Sequence, residues 1–338
     1  MKRTIIAITL LILLVLSQNV FAQKHTIKFA TLAPEGSTWM NVMREFDKDL
    51  REKTGGEVGF KIYAGGVLGD EKDVLRKMRI GQVHAAGFTG VGMGEILPEV
   101  RILDTPFLFR SYEDIDFIHE KFYDRFSQGF EKKGYVLLGW AEVGFVYIYT
   151  KSKVEDLNAM KKVKMWVWEG DRVAEATFKA FGLRPIPLSI IDVMTALQTN
   201  MVEAVYTSPL GAVVLQWFTK VNYMTELPLA NAAGAILISA KQFNKIPAEQ
   251  QAILKELGKK YLAKLTRLSR KDNENSIETM KQSSLQVIAV TDAHTLQSYY
   301  DAGKQARRSL VGQYYSEELL DQVESALANF RKTGKASE

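Results

Sequence analysis

The chain has 338 residues, of which 46% are hydrophobic and 25% charged, with a formal net charge of +5 and no cysteine. The missing cysteines exclude disulfides, thiolate metal sites, a cysteine nucleophile and a lipid anchor on an N-terminal cysteine. No run of five basic residues occurs, so nucleic-acid and membrane-surface roles gain no support, and a chain this long and apolar can bury its cores without staples.

The first residues read as an export signal. Lys2 and Arg3 give a positive start, Ile5 to Leu16 form an apolar stretch broken only by Thr9, and Val20-Phe21-Ala22 offers a site for cleavage near Ala22. The apolar run is shorter than the ~20 residues that span a bilayer. Residues 1–22 are therefore expected to be a signal peptide and the mature protein periplasmic.

Elements then follow in a regular order. "HTIKFATL" alternates as a strand, and "STWMNVMREFDKDLREK" places Trp39, Val42, Met43, Phe46 and Leu50 at helical spacing before a Gly55-Gly56 stop. "EVGFKIY" is a second strand, "DEKDVLRKMRIG" a helix capped by Asp70 and closed at Gly81, and "QVHAAGFTG" a third strand. The pattern β-α-β-α-β recurs later. "KVKMWVW" is a strand, Asp171 caps a helix ending at Gly182, "LRPIPL" is extended, Ser189 and Asp192 open a second helix, and "VEAVYTSP" closes the unit. Two such units imply an α/β protein of two lobes, each an open, mostly parallel sheet flanked by helices, with a ligand beyond the carboxyl ends of the strands. The expected divisions are lobe I at 23–145 with part of 235–265 returning, lobe II at 146–234, and C-terminal helices at 240–330 packing on both. The run 146–150 reads as one crossing between lobes and 235–239 as the return, and two crossings make a hinge.

One strand is unusual. In "KKVKMWVWEGD", counting by twos puts Val163, Met165 and Val167 on one face and Lys164, Trp166 and Trp168 on the other. A solvated face rarely spends two tryptophans, so this face is expected to look into the cleft.

"KFATLAPEGSTWM", "GGVLGDEKDVLRKMRIGQVHAAGF", "LDTPFLFRS" and "MTALQTNMVEAVYTSP" resemble, in that order, the solute-binding proteins of TRAP transporters, the DctP-type family. The resemblance covers nearly the whole mature chain. It implies a periplasmic receptor with crossing strands and a long helix spanning both lobes, closing on a solute and delivering it to the membrane subunits of an ion-driven transporter. The family strand that opens the second lobe usually reads K-I-R-V, its arginine clamping a ligand carboxylate. Laid on Lys162-Val163-Lys164-Met165, the motif puts Lys164 at the arginine, and lysine lacks the planar two-bond fork. A second basic residue common near the crossing is absent from "VGFVYIY". A branch with "MWVWEGD"-like and "SPLGAVVLQWF"-like segments is similar to receptors paired with a soluble tetratricopeptide-repeat protein, for which apolar ligands have been suggested.

The ligand-binding set expected from residues and resemblance together is Lys164, Trp166, Tyr206, Ser208, Phe88, Thr89, Leu32, Ala33, Phe145 and Trp217, around a small organic ligand that is partly apolar and carries a carboxylate. No cofactor or metal is called for. Asp70-Glu71 and Glu169-Asp171 are carboxylate clusters where helix caps are wanted, and capping explains them. No Walker loop, H-E-x-x-H or G-x-S-x-G occurs, and His25, His84, His119 and His294 are scattered without ligand spacing, so the expectation is a receptor and not an enzyme. The alternative is a ligand sensor or partner-binding scaffold uncoupled from transport.

Overall fold

A computed structural model describes residues 24–334; the expected signal segment lies outside the described residues. Strands come in the order β1 (His25–Ala30), β2 (Val58–Tyr63), β3 (Ala85–Thr89), β4 (Tyr135–Trp140), β5 (Gly144–Thr150), β6 (Trp166–Trp168), β7 (Ile186–Leu188), β8 (Ala204–Thr207), β9 (Tyr223–Thr225), β10 (Ala230–Ala232), β11 (Gly234–Ser239) and β12 (Gln286–Ile288).

The first lobe is built on a sheet of order β2-β1-β3-β11-β4. β1 runs parallel to β2 and β3, and β11 is antiparallel to β3 and β4. Its first helix, Thr38–Lys53, starts where the Ser37 side chain accepts from Met40 N, and buries Met40, Val42, Met43, Phe46 and Leu50 on one face. The next, Glu71–Arg79, opens with a capping box between Asp70 and Asp73.

The second lobe repeats the unit with shorter strands. β6 and β7 are parallel, and a parallel bridge from Met165 to Ala204 brings β8 alongside. Antiparallel partners complete it: β8, β9 and β10 all pair with β5. Two apolar clusters cover the faces of the first sheet and two more fill the second lobe.

The chain passes between the sheets at 141–143, joining β4 to β5, and at Ala233, joining β10 to β11; the runs 146–150 and 235–239, expected to be the crossings themselves, are instead strands within the two sheets. A third passage is the helix Ala248–Gln282, which buries Leu254, Leu257, Leu262 and Leu265 in the first lobe and Met280 in the second. This helix grips the first crossing. Asn273 Nδ2 donates to Val143 O at 2.9 Å while its Oδ1 accepts from Leu210 N at 2.8 Å. One turn away, Arg270 holds buried Glu142 through two hydrogen bonds and Asp116 through two more. Gly144 sits at φ +109° in this grip, and a Cβ there would lie 2.3 Å from Asn273 Nδ2.

Candidate functional site

Between the two sheets lies a cavity of about 240 Å³. It sits where parallel strands of both lobes end, because βαβ units leave a crevice beyond their carboxyl ends. Leu32 and Ala33 after β1, and Phe88 and Thr89 at the end of β3, form the first-lobe wall; Trp166, Tyr206 and Ser208 form the opposing one. Val143 of the first crossing, Val146 of β5 and residues 229–232, which lead into the second crossing, also line it.

The second-lobe wall is aromatic. Trp166, 2% exposed, stacks on Tyr206 with ring centres 5.0 Å apart and meets Trp217 edge-on at 5.2 Å. Its indole N–H donates to Leu188 O at 3.0 Å, so the ring is fixed in the wall and its polar atom is satisfied. Trp168 also borders the cavity and donates from Nε1 to Asp70 Oδ2 at 2.9 Å.

Eight of the ten residues expected from sequence line this space: Leu32, Ala33, Phe88, Thr89, Trp166, Tyr206, Ser208 and Trp217. Three of these have committed hydroxyls, Tyr206 donating to Asp171 Oδ2 at 2.8 Å. Ser208 Oγ caps the helix Pro209–Val214 by accepting from Gly211 N at 3.0 Å, and Thr89 Oγ1 donates to Glu71 Oε2 at 3.0 Å.

Lys164 and Phe145 do not reach the cavity. Lys164 precedes β6, so it lies at the amino end of a strand whose carboxyl end faces the cleft. Its side chain is 54% exposed, donating from Nζ to Asn200 O at 3.2 Å and standing 3.9 Å from Glu203. The assumed alternation also fails, since the strand begins only at Trp166 and every residue from Met165 to Trp168 is buried. Phe145 alternates with Val146 along β5; Val146 lines the cavity, while Phe145 packs on Tyr112 with ring centres 4.9 Å apart.

Sequence reasoning missed a buried ionic group in the same wall. Arg101, 3% exposed, donates from Nη2 to Asp171 Oδ1 at 2.6 Å, and its Nε stands 3.1 Å from Asp104 Oδ2. Asp171 does cap the helix Arg172–Ala180, and it also accepts from Tyr206 OH at 2.8 Å. Burial pushes the Asp104 carboxyl up to about 7, opposed by Arg101 and by the hydrogen bond from Ala233 N. Glu71 is likewise pushed up to about 7 by burial, against hydrogen bonds from Thr89 N and Oγ1 and Gly92 N. The one available signal was "RILD", a basic and an acidic residue set i, i+3 inside the apolar run "VRILDTPFLF".

These groups also tie the lobes together. Arg101 belongs to the first lobe and Asp171 to the second; Asp70 of the first accepts from Trp168 Nε1 and from Ser189 Oγ, at 2.6 Å, of the second. The arrangement is a closed clamshell with polar contacts along its rim.

Two α/β lobes closed over an internal cavity define a solute-binding receptor. The chain belongs to the DctP family, bacterial extracellular solute-binding protein family 7, whose model matches residues 29–311. It is 29% identical over 214 residues to a solute-binding protein of Verminephrobacter eiseniae, an alignment covering 62% of this chain and 63% of that protein's length. It is 26% identical over 275 residues to the 2,3-diketo-L-gulonate-binding periplasmic protein YiaO of Escherichia coli, covering 79% of this chain and 81% of YiaO. A TRAP periplasmic solute-binding protein of Pseudomonas putida F1, solved with bound D-glucuronate, superposes with a TM-score of 0.82 at 25% identity, covering 89% of this chain and 97% of that one. Among the described residues, no helix is long and apolar enough to cross a membrane.

Proposed function

We propose that this chain captures a small organic solute with an apolar body in the interlobe cavity, in the periplasm, and hands it to the membrane subunits of a TRAP-type secondary transporter. The observation that carries the reading is the wall made by Trp166, Tyr206 and Trp217, in which the Trp166 N–H and the Tyr206 hydroxyl are engaged within the protein and the ring surfaces are left for a ligand. Burying a ligand face of ~100 Å² against that wall contributes about 2.5 kcal/mol. The relatives named above for 2,3-diketo-L-gulonate and solved with D-glucuronate take polar acids; here the wall is aromatic, and its one guanidinium, Arg101, is already held by Asp104 and Asp171, so the carboxylate expected of the solute meets no free cation. The work is capture and closure, with no bond chemistry. Contacts from a solute to both lobes favour the closed arrangement, and the hinge equilibrium shifts by the difference in affinity between open and closed forms. A soluble tetratricopeptide-repeat partner belongs to the reading only as far as the branch resemblance extends to it.

The test is gentle denaturation of protein purified from its own periplasm, with mass spectrometry of what is released. Release of a solute with an apolar body supports the reading. Release of a sugar acid, or of nothing, overturns the ligand class, and failure to co-purify with any membrane subunit overturns the coupling to transport.

A further inference from the structure

The cavity is mostly apolar, and besides Ser269 Oγ on the long helix the polar atoms of its lining that stand without partners belong to Arg101, Asp104 and Asn231. Arg101 and Asp104 lie on the 3₁₀ turn Pro98–Asp104 and Asn231 on β10, and all three line the cavity. The strand packs against that turn, and Asp104 Oδ1 accepts from Ala233 N at 2.8 Å, two residues beyond Asn231. Both polar atoms of the Asn231 carboxamide are buried with no hydrogen-bond partner, as are Arg101 Nε and Asp104 Oδ2, which stand 3.1 Å apart without hydrogen-bonding alignment. Asn231 is only 1% exposed. An unpaired buried polar group costs roughly 1–3 kcal/mol, and native proteins leave few of them. Donors and acceptors unpaired together at the end of a ligand cavity mark the place where a bound group completes the set.

The charges at this corner say which group. The cavity wall carries the carboxylates of Glu71, Asp104 and Asp171 against a single guanidinium, Arg101, which is already within ion-pair distance of two of them. Among the described residues lining the cavity there is no lysine and no second arginine. An entering carboxylate would lose its hydration and find no free cation, a cost that the low-dielectric interior magnifies. An uncharged group holding both a donor and an acceptor matches the Asn231 amide on both edges and adds no charge.

We propose that the Arg101–Asp104–Asn231 corner is the polar-end subsite of the cavity and selects an uncharged donor–acceptor head, a hydroxyl or a carboxamide, over a carboxylate. This rests on the solute-capture reading and narrows it: the aromatic wall takes the body of the solute and this corner takes its head.

The experiment is titration calorimetry at pH 8 of the ligand-free protein with three probes of equal chain length: hexanamide, hexan-1-ol and hexanoate. Hexanamide and hexan-1-ol are expected to bind at least ~10-fold more tightly than hexanoate, a difference of about 1.4 kcal/mol. Asn231→Leu is expected to weaken hexanamide binding and so narrow the preference for amide over acid, the carboxylates of Glu71, Asp104 and Asp171 still opposing hexanoate. Should that variant fail to fold, Asn231→Asp, of the same shape, is expected to lose hexanamide affinity and still reject hexanoate. Hexanoate binding as tightly as hexanamide to the wild type, an unchanged preference in Asn231→Leu, or undiminished hexanamide affinity in Asn231→Asp overturns the proposal. No binding of any probe also overturns it. The separate mass-spectrometric release experiment then shows whether solute capture itself falls too.

Discussion

Asp104 sits beside Arg101 in the cavity wall with its carboxyl raised from the ordinary 3.8 to about 7, chiefly by burial. The folded chain therefore binds this proton more tightly than the unfolded chain does. The stability this contributes is fully present below pH ~4 and is lost as pH rises through about 7. A rise of that size corresponds to about 4 kcal/mol over the whole window. Between pH 5 and pH 8 the loss is about 3 kcal/mol, since the group is still largely protonated in the folded chain until pH ~7. Asp104→Asn keeps an acceptor for Ala233 N and cannot ionise. Urea unfolding of wild type and variant at half-unit steps from pH 5 to 8 should show wild-type stability falling with pH and the variant falling less, the two profiles diverging by up to about 3 kcal/mol. Glu71, raised to about 7 with the same sign, is present in both chains and leaves the variant a residual slope. Parallel profiles would refute the assignment of a protonated, buried Asp104.

Two further expectations concern closure. Trp168→Phe keeps most of the ring and removes the indole donor to Asp70, a hydrogen bond to a carboxylate at the half-buried rim worth about 1 kcal/mol; the closed-to-open ratio should drop by roughly fivefold. Small-angle scattering of the ligand-free variant should give a larger radius of gyration, and an unaltered curve would remove this contact from closure. Gly144→Ala forces a side chain onto a backbone at φ +109° and against Asn273, and should cost about 1–3 kcal/mol. Scanning calorimetry should show a lower Tm, and an unchanged one would mean that the first crossing is not held as described.

The elements of the fold were legible because their determinants are local. Asp70 and Asp171 are caps readable within four residues, and the apolar spacing of Val42, Met43, Phe46 and Leu50 marks a buried helix face without reference to anything distant. Most of the wall was legible too, since Phe88, Tyr206 and Ser208 end strands of a recurring unit and strand ends are where such folds bind. Lys164 was misplaced because the start of β6 is fixed by Glu203 and Ala204, whose N–H groups both donate to Lys164 O, and nothing near Lys164 in sequence announces that pairing. Arg101 and Asp171 are 70 positions apart and belong to different lobes, so their pairing exists only in the closed fold. Asn231 in "LANAAG" reads as an ordinary polar residue until the sheet buries it without partners.

The placement of the solute between the lobes depends on which side chain of "KVKMWVW" meets it. Isothermal titration of the molecule released from the native protein into ligand-free wild type, Trp166→Leu and Lys164→Ala decides it. Trp166→Leu should weaken binding by at least ~10-fold, about 1.4 kcal/mol, with Lys164→Ala within about twofold of wild type. Loss of affinity in Lys164→Ala with Trp166→Leu unchanged would contradict the placement of the solute between the lobes.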